Sequence, residues 1–154
     1  MKTILVPVDL SAATSRVCDA AGALAKLMNA RLLFLHVVQK PPFLMNDYYA
    51  FDAGTMTELI AAGAKAVAKQ LAALGRRYAK RKLPIRQWLF TGQPVVEILT
   101  KAAAIKAAYI VLGSHGHGAV FDLLVGSTTH GVLRKARCPV LVVPMSPAEF
   151  EVLA

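Results

Sequence analysis

Tyr109-Ile-Val-Leu-Gly-Ser-His-Gly-His-Gly118, followed after seven intervening residues by Gly126-Ser127, is the most informative run in the chain. Four apolar residues of strand character pass directly into glycines at 113, 116 and 118. Glycine lets backbone amides turn inward with no Cβ in the way. The Gly126-Ser127 pair then opens what reads as a new helix, whose first amides have no acceptor within that helix. Bared amides beside a helix N-terminus form an anion site suited to phosphate.

On either side of this run the chain alternates strand and helix. Ile4-Leu-Val-Pro-Val8 is a short apolar strand, followed by Asp9-Leu10-Ser11, with Ser11 expected as an N-cap. Val17, Ala21, Leu24 and Met28 recur at helical spacing, and Asn29 is a stop. Arg31 to Val38 is nearly continuous in apolar residues, as a strand buried on both faces should be. Pro41-Pro42 to Gly54 breaks regular structure, and its Tyr48, Tyr49 and Phe51 suggest a loop that packs or forms a lid. Thr55-Met56-Thr57-Glu58 fits a capping box, with Ile60, Ala64, Val67, Leu71, Leu74 and Tyr78 as one helix face behind it. Leu83 to Phe90 reads as a third strand, and Pro94 as the first turn of a helix ending near Ala107. A helix over 128–135 and a strand over Pro139–Val143 complete the series, before Pro144 and Pro147 stop the sheet.

Five strands separated by helices predict an α/β fold: one doubly wound, five-stranded parallel sheet with right-handed crossovers. Residues 1–146 form this single domain and 147–154 a short tail. With the common order 3-2-1-4-5, ligands bind beyond the strand ends where the order reverses, between strands one and four. The residues just past those ends are Asp9 and Gly113.

A chain of 154 residues can bury one continuous core. No apolar stretch reaches the ~18 residues needed to span a membrane, and Met1-Lys2 leads straight into a strand without a signal-peptide pattern, so a cytoplasmic location is expected. Cys18 and Cys138 lack a Cys-x-x-Cys partner and read as buried free thiols. The net charge of +9 favours acidic ligands. Its densest cluster, Arg76 to Lys82, sits at a helix C-terminus where cations complement the dipole, and one tyrosine does not make a nucleic-acid stacking platform.

Both standard phosphate motifs are missing. Gly118 is followed by Ala119-Val120 where a Walker loop needs Lys-Ser or Lys-Thr. The first strand-helix turn has no glycine, and strand two ends in Val37-Val38-Gln39, without the acid that holds a ribose in dinucleotide folds. His115 and His117 could suggest a chelate, but two histidines without a third ligand do not make a metal site. Asp122 reads as a solvated helix position.

The spacing Gly113-x2-Gly116-x9-Gly126-Ser127 resembles the ATP-binding branch of the universal stress protein family. Ile4–Ser11, Leu35-His-Val37, Gly92-Gln-Pro94 and Cys138–Val143 resemble further stretches of that family in the same order. The resemblance implies a Rossmann-like fold of the adenine nucleotide alpha hydrolase type, and ATP with magnesium as ligand. By position it places Asp9 and Val37 around adenine and ribose, with Pro7 in the binding set. Gly113, Ser114, His115, Gly116 and Gly126 would wrap the phosphates through main-chain amides, and Ser127, Thr128 and Thr129 would meet them by amide and hydroxyl. It also implies a homodimer through Val140–Val143. Ala107-Ala108 departs from the family's pattern at the strand end opposite the ligand, His117-Gly118 implies a more flexible loop than usual, and His130 alters the outer contacts of the last helix.

The function expected is a nucleotide-dependent regulatory or stress-response protein with an unidentified protein partner. A slow ATP hydrolase or phosphotransferase is the competing reading, and an interaction module with a vestigial site is a third. No activated nucleophile or tuned base is visible near the loop, so no catalytic residue is assigned.

Overall fold

The computed structural model describes residues 1–39, 53–114 and 125–144. The elements run β1 (Thr3–Pro7), α1 (Thr14–Met28), β2 (Arg31–Val38), α2 (Ala53–Ala79), β3 (Ile85–Thr91), α3 (Pro94–Ala104), β4 (Tyr109–Gly113), α4 (Ser127–Lys135) and β5 (Val140–Val143). The strands form one parallel sheet in the order β3-β2-β1-β4-β5. This is the α/β architecture and strand order that the sequence predicts.

Alternation along the strands divides the core into two layers. Ile4, Val6, Leu32, Phe34 and Val111 pack with Val17, Cys18 and Ala21 of α1 and Leu71 and Tyr78 of α2. Leu5, Leu33, Leu35, Ile110 and Leu112 face the other way, onto Ile98 and Ala102 of α3 and Val132 of α4. Both faces of the central strands are covered, which is why β2 reads as a nearly unbroken apolar run. At about 1.5–3 kcal/mol per fully buried aliphatic side chain, these layers supply the main drive to fold.

Local signals set most of the boundaries. Asn29 ends α1 in the left-handed region at φ 50°, where its amide donates to the Lys26 carbonyl and that of Ala30 to Ala25. Pro94 stands in the first turn of α3, where no amide partner is lost. Gly131 lets α4 approach α3, since a Cβ there would lie 2.7 Å from Val95 Cγ2.

Three expectations need correction. Ser11 is not the N-cap of α1. The helix starts at Thr14 with Ala13 as cap, because Ser11 is engaged by Asp9 in the preceding turn. Likewise α2 begins at Ala53, two residues before the expected Thr55 cap. Its apolar stripe is not buried along its length: Leu71 and Tyr78 are buried, whereas Ala64 is exposed. The proposed lid residues Tyr48, Tyr49 and Phe51, and the tail 147–154, lie outside the described residues. Among the described residues no helix is long and apolar enough to cross a membrane.

The C-terminal end of α2 is fastened to α1. Arg81 pairs with Asp19 at 2.7 Å, and Arg77 donates to Ser15 Oγ at 3.2 Å. Part of the basic cluster is therefore spent inside the fold. Beneath it Cys18 is fully buried, and burial, reinforced by the Asp19 charge, pushes its thiol up to about 12. The folded value lies above the ordinary value of 9.0, so the folded state favours the neutral thiol. This contribution is complete below about pH 9 and is lost as the pH climbs toward about 12, a fall on the order of 4 kcal/mol. Tyr78, also pushed up by burial and by its bond to Asp19, adds to the alkaline loss. Denaturant unfolding at pH 8 and pH 11 should show a steep loss in the wild type and a shallower one in Cys18→Ala. Equal slopes would show that the thiol stays out of the balance.

Candidate functional site

Because the sheet order reverses between β1 and β4, neither crossover covers the crevice beyond their carboxyl ends. The first wall follows β1. Val8 continues the ladder by donating its amide to the Leu35 carbonyl at 2.8 Å, and the Val8 carbonyl lies 2.7 Å from His36 Nδ1. Asp9 comes next. Its Oδ1 accepts from the Ser11 amide at 3.0 Å, the Ser11 hydroxyl at 2.7 Å and the Thr14 hydroxyl at 3.2 Å. One carboxylate oxygen thus organises the turn and ties it to the first residue of α1.

Between these partners Leu10 takes a left-handed φ of 62°. That conformation costs a non-glycine residue about 1–2 kcal/mol, which the Asp9 clasp offsets. Sequence reasoning missed both Leu10 and His36. Nothing in the sequence marks Leu10, since a turn needing positive φ ordinarily shows glycine. A polar His36 within the apolar run of β2 was a usable signal for the second.

The opposite wall follows β4. The Ser114 amide donates to the Val143 carbonyl at 2.9 Å, and the Gly126 amide returns to the Ser114 carbonyl at 2.7 Å. Helix α4 begins here, capped by the Gly126 backbone, and its first intrahelical bond runs from the His130 amide to the Gly126 carbonyl at 2.8 Å. The amides of Ser127, Thr128 and Thr129 precede that bond and so have no acceptor within the helix. No acid stands in this first turn, so the positive end of the helix dipole is not neutralised there.

The sequence-nominated residues fall as follows. Asp9, Gly113, Ser114, Gly126, Ser127 and Thr128 gather around the crevice between β1 and β4. Pro7 ends β1 beside Leu35, and Val37 lies half-buried near the end of β2, packed against the α3 side of the core. Thr129 differs from expectation in its hydroxyl. It is buried and donates to the Gly113 carbonyl at 2.7 Å, so the proton expected at a phosphate is committed to fixing α4 on β4. His115 and Gly116, with His117, Gly118 and Asp122, lie outside the described residues. Among the described residues no three His, Cys, Asp or Glu side chains are grouped to hold a metal ion.

Chemically this arrangement offers a carboxylate acceptor on one side and a cluster of amide and hydroxyl donors on the other. Donors suit an anion and the carboxylate suits sugar hydroxyls, while Val37 offers an apolar surface.

Known proteins share this fold and sequence pattern. The sequence model of the universal stress protein family matches residues 1–144. A universal stress protein of Thermus aquaticus is 34% identical over 142 residues, covering 92% of this chain and 98% of the relative. Among solved structures, UspA of Lactobacillus plantarum superposes with a TM-score of 0.76 at 27% identity, over 92% of this chain and 97% of that one. A universal stress protein solved in complex with cAMP gives a TM-score of 0.67 at 25% identity, over 94% and 98%.

Proposed function

The chain belongs to the universal stress protein family, and from that premise we propose that it binds ATP, carried with magnesium, and acts as a nucleotide-dependent regulator in the cytoplasm. What supports this reading is that Asp9 follows β1 and the N-terminus of α4 is tied to the end of β4, the two strands between which the sheet order reverses. A relative of the same fold holds cAMP, which supports an adenine nucleotide as the ligand class.

In this reading Asp9 accepts from ribose hydroxyls, and Pro7 and Val37 flank the nucleoside. Gly113, Ser114 and Gly126 border the phosphates, with His115 and Gly116 added by the spacing of the glycine motif alone. Ser127 and Thr128 donate through amide and hydroxyl, and Thr129 through its amide. Magnesium would ride on the triphosphate, because the Asp9 oxygen facing the turn already accepts three hydrogen bonds. The same engagement argues against Asp9 as a general base, so ligand-dependent signalling fits better than dedicated hydrolysis.

Mass spectrometry of gently purified protein should reveal a co-purified adenine nucleotide, and calorimetry should show saturable heat with ATP and magnesium. Absence of heat with ATP, ADP and AMP alike would overturn the reading.

Assembly is part of the proposal. Strand β5 is a sheet edge carrying Leu141 at 39% exposure, and an apolar edge of this kind calls for cover by a second copy. Sedimentation equilibrium should give a dimer for the wild type and a monomer for Leu141→Glu. A monomeric wild type would remove the dimer from the proposal.

A further inference from the structure

A second concavity lies at the opposite end of the sheet, between the C-terminal halves of α3 and α4. It measures about 500 Å³, within the range of small-molecule sites. Its apolar lining comes from Leu99, Ala102, Ala107 and Ile110, with the half-buried Cys138 beside them. Lys106, Lys135 and Arg137 stand around it, all exposed, and no acid contributes to the lining. The Arg81–Asp19 ion pair involves none of the three.

The turn that sets Lys106 at this site is specific. After α3 the Lys106 amide donates to the Ala103 carbonyl at 3.0 Å and the Ala107 amide to the Ala102 carbonyl at 2.9 Å. This closing pattern places Lys106 at φ 49°, where glycine is the usual occupant. A cation therefore stands at the site despite the backbone cost.

We propose that this cavity binds a small amphipathic carboxylate, with its aliphatic body on the accessible Leu99, Ala103 and Cys138 and its anionic head between Lys106, Lys135 and Arg137. Three like charges around an apolar, concave floor select a ligand with both parts. An uncharged aliphatic molecule would leave the cations uncompensated, and a free anion would leave the floor in water. The dimensions favour a small molecule over a protein partner, which would need a broader surface.

Cys138 supplies the readout, since an occupied cavity shields its thiol, while Cys18 is fully buried in the other core layer. Alkylation of Cys138 by iodoacetamide, followed by peptide mass spectrometry, should slow in a saturable way with decanoate. Decanol and acetate should each protect at least about tenfold more weakly. Lys135→Glu combined with Arg137→Glu should weaken decanoate protection by about tenfold or more, with an unchanged thermal melt. Equal protection by decanol and decanoate would overturn the proposal, as would undiminished protection in the folded double variant. Lack of protection by decanoate in the wild type would do the same.

Discussion

Asp9→Ala is expected to weaken ATP binding by roughly 10- to 100-fold, the loss of one or two hydrogen bonds to a charged acceptor at about 1.5–3 kcal/mol. The carboxylate serves two ends, however, and the variant disturbs both. Removing it frees Ser11 and Thr14 and withdraws the support for the left-handed Leu10. A double variant, Ser11→Ala with Thr14→Ala, separates the two effects, because it loosens the turn and leaves the carboxylate in place. Calorimetry should show the double variant within about threefold of wild type, if the two part-buried hydroxyl bonds to Asp9 serve the turn and not the ligand. If it falls as far as Asp9→Ala, the residue acts by shaping the turn and does not touch the sugar. Asp9→Asn should lie between, since an amide oxygen can accept from Ser11 while the charge is gone.

The second large effect concerns stability. Tyr78 has no exposed surface, and its ring meets Phe34 edge-on at 5.7 Å between centroids. Its hydroxyl, 2.8 Å from Asp19 Oδ1 and 3.0 Å from the Ser15 carbonyl, donates across to α1. The Arg81 guanidinium covers the ring at 4.6 Å. Tyr78→Ala should therefore cost about 3–5 kcal/mol, from lost transfer energy plus the cavity left behind. For a domain of this size that corresponds to a fall in Tm of about 10 °C or more. Tyr78→Phe keeps the ring and should cost only about 1–2 kcal/mol, the share of the hydroxyl's bonds. A Tyr78→Ala protein melting within a few degrees of wild type would show that α2 is held elsewhere.

Much of the architecture was readable because strong, local signals agreed with the global pattern. The apolar run of β2, the stop at Asn29 and the proline opening α3 each carry their meaning within a few residues. The common order 3-2-1-4-5 of doubly wound sheets, which the alternation of strand and helix invites, is the order found, and it sets Asp9 and Gly113 at the ends of neighbouring strands. What escaped depended on partners distant in sequence or on competition among nearby ones. Ser11 has the chemistry of a cap, yet Asp9 captured it first. Thr129 has the chemistry of a phosphate donor, yet the Gly113 carbonyl across the sheet end took its proton. The stripe on α2 has helical spacing from Ile60 onward, but periodicity does not reveal how much of a helix finds a surface to lie against.

The bond from the Gly126 amide to the Ser114 carbonyl has a consequence for how the start of α4 is held. It ties the two residues that bracket positions 115–125, and Thr129 secures the same junction from within α4. The base of that excursion is anchored by contacts that belong to the sheet and the helix. The junction of β4 and α4 is therefore closed by its own two ends, so the start of the helix is held to the sheet by main-chain and side-chain ties together.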